Sequence, residues 1–185
     1  MKKITKYSKQ ELSQEISAIE KSERNNEHPN LSSFEKAIIY KYSDDGYELL
    51  NEQLRLTKGN NKTEFGILLE LSLSKLPNFD GLVYRSAKLT PQELNKYNIA
   101  LQSNKAIIEP TFISTSKSRA IAMEFKGNTL FRIYSRTGKI IEKIAKFGIY
   151  NPPNEKEVLF NPNCTFKVLE ITKENDYPLI TMEEI

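Results

Sequence analysis

Cysteine and histidine are almost absent from this chain of 185 residues, which has one of each, Cys164 and His28. A lone cysteine cannot form an internal disulfide, so folding requires no oxidising compartment. The same two residues are too few for a zinc site built from cysteine and histidine side chains. The composition therefore excludes a disulfide scaffold and a zinc centre of this kind, and we expect no bound metal.

Long hydrophobic runs are also missing. The most apolar stretch, residues 65–76, contains Glu70 and is too short to cross a bilayer. The residues after the basic start, 4–10, provide no apolar core for a signal peptide. We therefore expect no membrane contact and no ordinary signal peptide. If the protein acts on another cell, a secretion system or a larger carrier protein must deliver it.

Neither sign of charge dominates the chain. The 27 basic residues exceed the 24 acidic ones by only three, so charge gives no strong indication of nucleic acid as a partner. The glycine-rich motif G-x-G-x-x-G does not occur, which excludes a Rossmann site for a dinucleotide. With 38% hydrophobic residues, the length suits one globular domain spanning residues 1–185.

Helical patterns fill the first 80 residues. The sequences starting at Ser8 and Ser32 both read Ser-x-x-Glu, which predicts that each serine caps a helix. The second of these helices is predicted to break at residues 43–46, where two aspartates precede a glycine. Apolar spacing predicts two further helices, at residues 47–54 and 65–76.

Short apolar runs between turn signals take over from Gly81 onward. One helix interrupts them, with Thr90 as its cap and Pro91 at its first position, and a short helix is predicted at 118–125. Residues 136–138 are predicted to form a hairpin turn. Strands are predicted at 82–85, 106–113, 129–134, 139–142, 158–160, 166–171 and 179–182. Helices followed by strands predict an α+β fold, with N-terminal helices packed on a strand-rich core.

Three motifs stand at the edges of predicted strands: Arg85, the hydroxyl run 114–116, and Glu155-Lys156-Glu157. If the chain is extended from Glu155 onward, the period of two places both carboxylates on one face. Like charges side by side are unfavourable without a cationic or hydrogen-bonding partner, and chemistry is one reason to keep them. Taken alone, the glutamate pair is a weak signal, and a solvated strand edge is the favoured interpretation.

Arginine, Ser-Thr-Ser and Glu-x-Glu in this order resemble the arginine-type mono-ADP-ribosyltransferase toxins, roughly over residues 34–171. The resemblance implies a mixed, strand-rich ADP-ribosyltransferase-like core with NAD as substrate. It also implies transfer of ADP-ribose to an arginine of a target protein, as an effector active in the target-cell cytoplasm. An immunity protein is a further partner that such a toxin could have.

The resemblance also assigns roles to single residues. Glu157 is the glutamate that contacts the nicotinamide-side ribose, and Glu155 acts on the incoming guanidinium, because relatives with other acceptors carry Gln there. Arg85 corresponds to the arginine that binds NAD. Four hydroxyl residues and one aromatic complete the NAD site: Ser86, Ser114, Thr115, Ser116 and Phe125. For Phe125, packing in the core is an equally consistent alternative.

Two positions depart from the family pattern. Many relatives have an aromatic target-recognition residue three positions before the first glutamate, where this chain has Pro152, with Tyr150 two residues earlier. We therefore expect the target-recognition loop, with Tyr150 and Pro152, to act differently here. Ser86 stands where relatives often have glycine, a mild change that leaves NAD binding as the expected result.

Three alternatives remain open from the sequence. An NAD glycohydrolase would use the same residues with water as the acceptor. A catalytically silent binding module would keep the fold for partner recognition, although Arg85, Ser114 and Glu157 together argue against a decayed site. The slight basic excess leaves an RNA or DNA acceptor as a minor variant.

Overall fold

The computed structural model describes residues 2–60, 62–174 and 177–185. The chain divides into two compact units, which we call the helical unit and the sheet unit. The helical unit comprises Met1–Pro77 and Lys139–Glu157, and the sheet unit comprises Asn78–Gly138 and Val158–Ile185. A single domain over residues 1–185 stays a prediction.

The helical unit is built around one helix, α3. Its elements are α1 (Lys2–Glu11), α2 (Ser13–Glu20), a 3₁₀ turn (Glu23–Asn26), α3 (Ser33–Lys41), a π-helical turn (Tyr42–Gly46), α4 (Tyr47–Leu56) and α5 (Glu64–Leu73). The central helix packs against α1, α2 and α5. Ile38 and Ile39 of α3 are completely buried, and burial of such side chains stabilises a fold by about 1.5–3 kcal/mol each.

One of the two predicted serine caps is confirmed, and the other is wrong. Ser32 caps α3: its backbone N–H donates to Glu35 Oε2 (2.8 Å), and its hydroxyl accepts from the Glu35 N–H (3.4 Å). Ser8 instead lies inside α1, where it is buried and its hydroxyl donates to the Phe34 carbonyl (3.3 Å). A tertiary partner on α3 therefore decides the role of Ser8, which local sequence cannot indicate.

The α-helix is interrupted near residues 43–46, as predicted, but by a π-helical turn that keeps the chain helical from α3 into α4. Ser43 shows why polar residues are tolerated there. Its hydroxyl donates to the Tyr40 carbonyl (2.9 Å) and accepts from the Lys146 N–H (2.8 Å). These bonds satisfy a side chain that would otherwise compete with the helical backbone.

In the described residues, seven strands form one sheet in the order β1-β3-β5-β4-β7-β6-β2. They are β1 (Asn78–Ala87), β2 (Ile107–Glu109), β3 (Ile113–Ser116), β4 (Thr129–Ile140), β5 (Glu157–Phe160), β6 (Cys164–Glu174) and β7 (Tyr177–Glu184). Strands β4 and β7 are parallel, whereas β6 and β7 are antiparallel. The mixed sheet and the separate helices confirm the predicted α+β class.

Two helices cover the sheet within its own unit. The first, α6 (Pro91–Ser103), packs against β6 and has the predicted Thr90 cap and Pro91 start. The second, α7 (Arg119–Glu124), packs against β1 and β3. Phe160 and Phe166 are completely buried and meet edge to face at 5.6 Å between ring centroids. This core holds β5 in the interior of the sheet.

One strand prediction and the turn prediction fail for identifiable reasons. The run 106–113 divides into β2 and β3 around Pro110, which has no N–H to give to a ladder. The predicted turn at 136–138 lies inside the continuous strand β4. There Glu184 Oε2 accepts from the N–H groups of Arg136 (2.6 Å) and Thr137 (2.8 Å). A carboxylate from β7 thus satisfies the backbone of a segment whose sequence is typical of a turn.

Candidate active site

Arg85 lies on β1, which pairs with β3 in a register that sets Tyr84 opposite Ser116. Its Nη1 donates to the Ser114 carbonyl at 2.6 Å, and the side chain is half-buried. A guanidinium has five N–H groups in a fixed fork, so this bond orients the group and uses one of them. Among the described residues of the sheet unit, no carboxylate forms an ion pair with Arg85. The geometry suits recognition of an anion.

The three hydroxyl residues of β3 have different surroundings. Thr115 is buried, and its Oγ1 donates to the Val158 carbonyl at 2.6 Å. Ser116 is also buried and accepts from the Ser118 N–H (3.0 Å), at the start of α7. Ser114 is half-buried and provides the carbonyl that holds Arg85. Thr115 therefore anchors β5 to β3, at the residue that directly follows Glu157 in the chain.

Ser86 and the residues after α7 form a second close contact on β1. The Ser86 hydroxyl accepts from the Gly127 N–H at 2.9 Å. A Cβ on Gly127 would lie 2.5 Å from backbone atoms of Ala87, so only glycine permits this approach. Phe125, which ends α7, is 60% exposed, and this exposure excludes core packing as its role. The ring is available for stacking.

A cavity of about 370 Å³ lies within the sheet unit beside this contact. It is lined by Ser86, Arg119, Met123, Lys126, Gly127, Thr129, Leu130, Glu174, Tyr177 and Leu179. Arg119 and Glu174 form an ion pair at its wall. Of the predicted site residues, Ser86 alone is among the described residues that line it, so this cavity is distinct from the surroundings of Arg85.

The two glutamates do not lie in one extended strand. Lys156, between them, has a left-handed backbone (φ 50°), and β5 begins only at Glu157. Such a conformation costs a non-glycine residue about 1–3 kcal/mol, and the bond from the Lys156 N–H to Asn154 Oδ1 (2.8 Å) supports it. The prediction of an extended chain from Glu155 onward is therefore wrong, and strand periodicity does not place the two carboxylates on one face.

The environments of the two carboxylates differ. Glu157 is buried, with 4% of its surface exposed, and its carbonyl accepts from the Ile141 N–H at 3.1 Å. Glu155 is half-buried in the loop before β5, where its N–H donates to the Phe147 carbonyl (3.1 Å). Burial raises the pKa of the Glu155 carboxyl above its ordinary value. A raised pKa makes Glu155 a better proton acceptor once it is ionised.

The two predicted target-recognition residues differ in exposure. Pro152 is exposed, as is Ile149, 45% of which is accessible. Tyr150 is instead held within the helical unit: its hydroxyl donates to Glu27 Oε1 (2.5 Å), and its ring lies 5.7 Å from the Arg24 guanidinium. No local sequence pattern marks Arg24 and Glu27, because their partners lie more than a hundred positions away.

The part of the chain that the structure describes contains neither a candidate metal site nor a membrane-spanning helix. No group of three or more histidine, cysteine, aspartate or glutamate side chains there could hold a metal ion. No helix there is long and apolar enough to cross a membrane.

The sequence profile of the ADP-ribosyltransferase exoenzyme family matches residues 2–184. Mav of Mycobacterium avium strain 104, named as an NAD(+)–arginine ADP-ribosyltransferase, is 33% identical over 148 residues, which are 78% of this chain and 17% of Mav. Vis of Vibrio splendidus strain 12B01, named for the same activity, is 27% identical over 172 residues, or 84% of this chain and 66% of Vis. The chain thus spans less than a fifth of one of these relatives.

Solved structures of ADP-ribosyltransferases share the fold. HopU1 of Pseudomonas syringae pv. Tomato DC3000 aligns with a TM-score of 0.78 and 19% identity, over 92% of this chain and 85% of HopU1. Vis in complex with agmatine aligns with a TM-score of 0.69 and 24% identity, over 94% of this chain and 86% of that one. At these identities the likeness establishes the fold, and the strand-rich core predicted from the sequence is confirmed.

Proposed function

Because the chain belongs to the ADP-ribosyltransferase exoenzyme family, we propose that it transfers ADP-ribose from NAD to an arginine of a target protein. One observation carries the choice of arginine. A buried glutamate opens β5, and a second, half-buried glutamate with a raised pKa precedes it in the loop. Two carboxylates in different environments suit a reaction that needs one at the sugar and another at a cationic acceptor.

NAD is the proposed substrate, and the sheet unit provides the groups that bind it. The Arg85 guanidinium, oriented by the Ser114 carbonyl, contacts the diphosphate. The Ser114 hydroxyl forms a hydrogen bond with a ribose of NAD, and the exposed ring of Phe125 stacks on nicotinamide. Ser86, Thr115 and Ser116 act through the backbone bonds that fix β1, β3 and β5. We expect the reaction to need no metal.

Glu157 acts on the sugar. When the bond from the ribose C1′ to the nicotinamide nitrogen breaks, both electrons leave with nicotinamide, and positive charge develops on the ribose. The Glu157 carboxylate stabilises this charge, and its burial removes competing water. A fixed charge of this kind typically contributes about a hundredfold to a thousandfold to the rate.

Glu155 acts on the acceptor. A guanidinium has a pKa above about 12 and is not a nucleophile while protonated, so a base must take its proton as a nitrogen attacks C1′. The new C1′–nitrogen bond replaces the bond to nicotinamide, and the proton passes to Glu155. Since burial raises the pKa of Glu155, transfer requires a higher pH than an ordinary carboxylate would.

The proposed function also includes contact with a target protein and delivery into the target cell. The exposed Ile149 and Pro152 contact the target protein. Tyr150, which lies between them in the chain, holds this segment in place through its hydrogen bond to Glu27. The enzyme reaches the cytoplasm of a target cell through a secretion system or as part of a longer carrier protein. An immunity protein would then be needed in the producing cell.

The test is an assay of the purified chain with NAD, agmatine as a small guanidine acceptor, and excess chelator. We expect mass spectrometry to detect ADP-ribosyl-agmatine, and labelled NAD to mark proteins of a cell lysate on arginine. Arg85→Ala should weaken NAD binding, measured by calorimetry, at nearly parental stability. Arg85→Lys is the matched control, because it keeps the charge without the fork. Nicotinamide release with no transfer to agmatine or protein would support a glycohydrolase instead.

A further inference from the structure

Arg24 of the 3₁₀ turn is buried, with 5% of its surface exposed, and contacts the segment that leads to Glu157. We define this segment, residues 141–156, as the acceptor loop. The guanidinium Nε donates to the carbonyls of Ile144 (3.2 Å) and Ala145 (3.3 Å). Its Nη2 donates to the carbonyls of Ala145 (3.1 Å) and Lys146 (3.4 Å). One side chain thus binds three consecutive carbonyls of the loop.

Aromatic rings enclose the same guanidinium. Its carbon lies 5.3 Å from the centroid of Tyr40 on α3 and 5.7 Å from that of Tyr150 in the acceptor loop. Burial lowers the pKa of Arg24, but an arginine stays protonated in proteins. Arg24 forms no ion pair among the described residues, and carbonyl oxygens and ring faces take the place of water around this buried cation. Arg24 therefore joins the helices to the loop.

Further hydrogen bonds connect the segment that Arg24 binds, residues 144–146 and the adjoining Phe147, to the part of the loop that contains Glu155. The Lys146 carbonyl also accepts from Asn151 Nδ2 (3.0 Å), and the next carbonyl, that of Phe147, accepts from the Glu155 N–H (3.1 Å). The loop is closed across its base as well, because the Ile149 N–H donates to the Glu142 carbonyl at 2.9 Å. The position of Glu155 thus depends on a loop that is bound at 144–146.

We propose that Arg24 is a positioning residue for the acceptor half of the reaction. By holding residues 144–146, it places the Glu155 carboxylate and keeps Ile149 outward, toward the target. This inference rests on the proposed function, and it separates two activities that share NAD cleavage. Loss of the Arg24 contacts leaves the breaking of the nicotinamide bond largely intact, and it impairs the attack of a guanidine nitrogen on the sugar.

The experiment compares Arg24→Lys and Arg24→Gln with the parent protein, measuring nicotinamide release in water and ADP-ribosyl transfer to agmatine in parallel. Lysine keeps the charge but lacks the planar fork whose Nε and Nη2 together reach the three carbonyls. We expect the ratio of transfer to hydrolysis to fall on the order of tenfold to a hundredfold, because small displacements of a positioned group have effects of this size. The acceptor KM should rise, whereas the KM for NAD should stay at the parental value.

Leu12→Ala is the matched control, because Leu12 is buried in the same unit at the junction of α1 and α2. It should lower the melting temperature and leave the transfer-to-hydrolysis ratio unchanged, which separates positioning from general destabilisation. An unchanged ratio in both Arg24 variants would overturn the inference. A parent protein that transfers nothing to agmatine or protein would instead contradict the proposed function.

Hydrogen exchange gives a readout that does not depend on activity. In the parent, the amides of Ile149, Asn151 and Glu155 donate within the acceptor loop and should exchange slowly. Arg24→Lys should speed their exchange at least about tenfold. The exchange of the α5 amides, which lie outside the acceptor loop, should change little. Parental exchange rates at these three amides would overturn the inference, whatever the fate of catalysis.

Discussion

Thr115 offers a test of whether its hydroxyl supports the sheet or contacts NAD. In Thr115→Val, a methyl group replaces the hydroxyl that donates to the Val158 carbonyl at 2.6 Å, in a side chain that is 95% buried. The shape is kept, so the main loss is a hydrogen bond whose acceptor stays buried, worth about 1–3 kcal/mol. For a chain of this size, the melting temperature should fall by about 2–4 °C for each kcal/mol.

Thr115→Ser is the matched control, since it keeps the donor and removes one methyl group, at a cost of about 0.8 kcal/mol. Thermal denaturation and calorimetry with NAD should be measured on all three proteins. We expect the valine variant to be the least stable and to keep the parental NAD affinity. If Thr115→Val is as stable as the parent but binds NAD much more weakly, the hydroxyl contacts NAD and this reasoning is refuted.

Two further substitutions test other parts of the structure. Phe125→Ala should change the free energy of unfolding by no more than about 0.5 kcal/mol, because the ring is 60% exposed, but weaken NAD binding in calorimetry. Burial alone would raise the pKa of Glu35, but hydrogen bonds from Lys75 and Ser32 outweigh it and lower the pKa. Glu35 therefore stabilises the fold above its unfolded pKa, near 4.5, and this contribution is lost as pH falls through the lower folded value. Glu35→Gln should lower stability at pH 7 and flatten the acid limb of a denaturation series. An unchanged acid limb, or full NAD affinity in Phe125→Ala, would contradict these assignments.

Local signals account for the parts of the fold that the sequence predicts well. Ser32 and Thr90 each bond to a glutamate three residues later, so their caps are complete within four residues. Ser8 has the same local pattern, but its hydroxyl bonds to the Phe34 carbonyl, 26 positions away. A cap is therefore predictable only where no distant partner competes for the side chain.

The candidate site likewise combines residues that local motifs identify with residues that only distant contacts explain. Arg85, Ser114 and Glu157 are identified by motifs at strand edges, and the structure places Arg85 against Ser114 as the order of strands allows. The contact of the Arg24 guanidinium with the Tyr150 ring instead joins two distant parts of the helical unit. Pairs separated by more than a hundred positions leave no periodic trace in one sequence, so the support of the acceptor loop could be found only in the structure.

Central to the proposed mechanism is that the Glu157 carboxylate stabilises charge on the ribose and the Glu155 carboxylate takes the proton of the acceptor guanidinium. The most direct measurement is nicotinamide release and agmatine modification, followed in parallel, for Glu157→Gln and Glu155→Gln. Both changes remove a charge and keep the size of the side chain. We expect Glu157→Gln to suppress both activities about a hundredfold to a thousandfold. Glu155→Gln should suppress agmatine modification about a hundredfold or more and leave hydrolysis much less affected. Parental agmatine modification by Glu155→Gln, or parental hydrolysis by Glu157→Gln, would contradict the account.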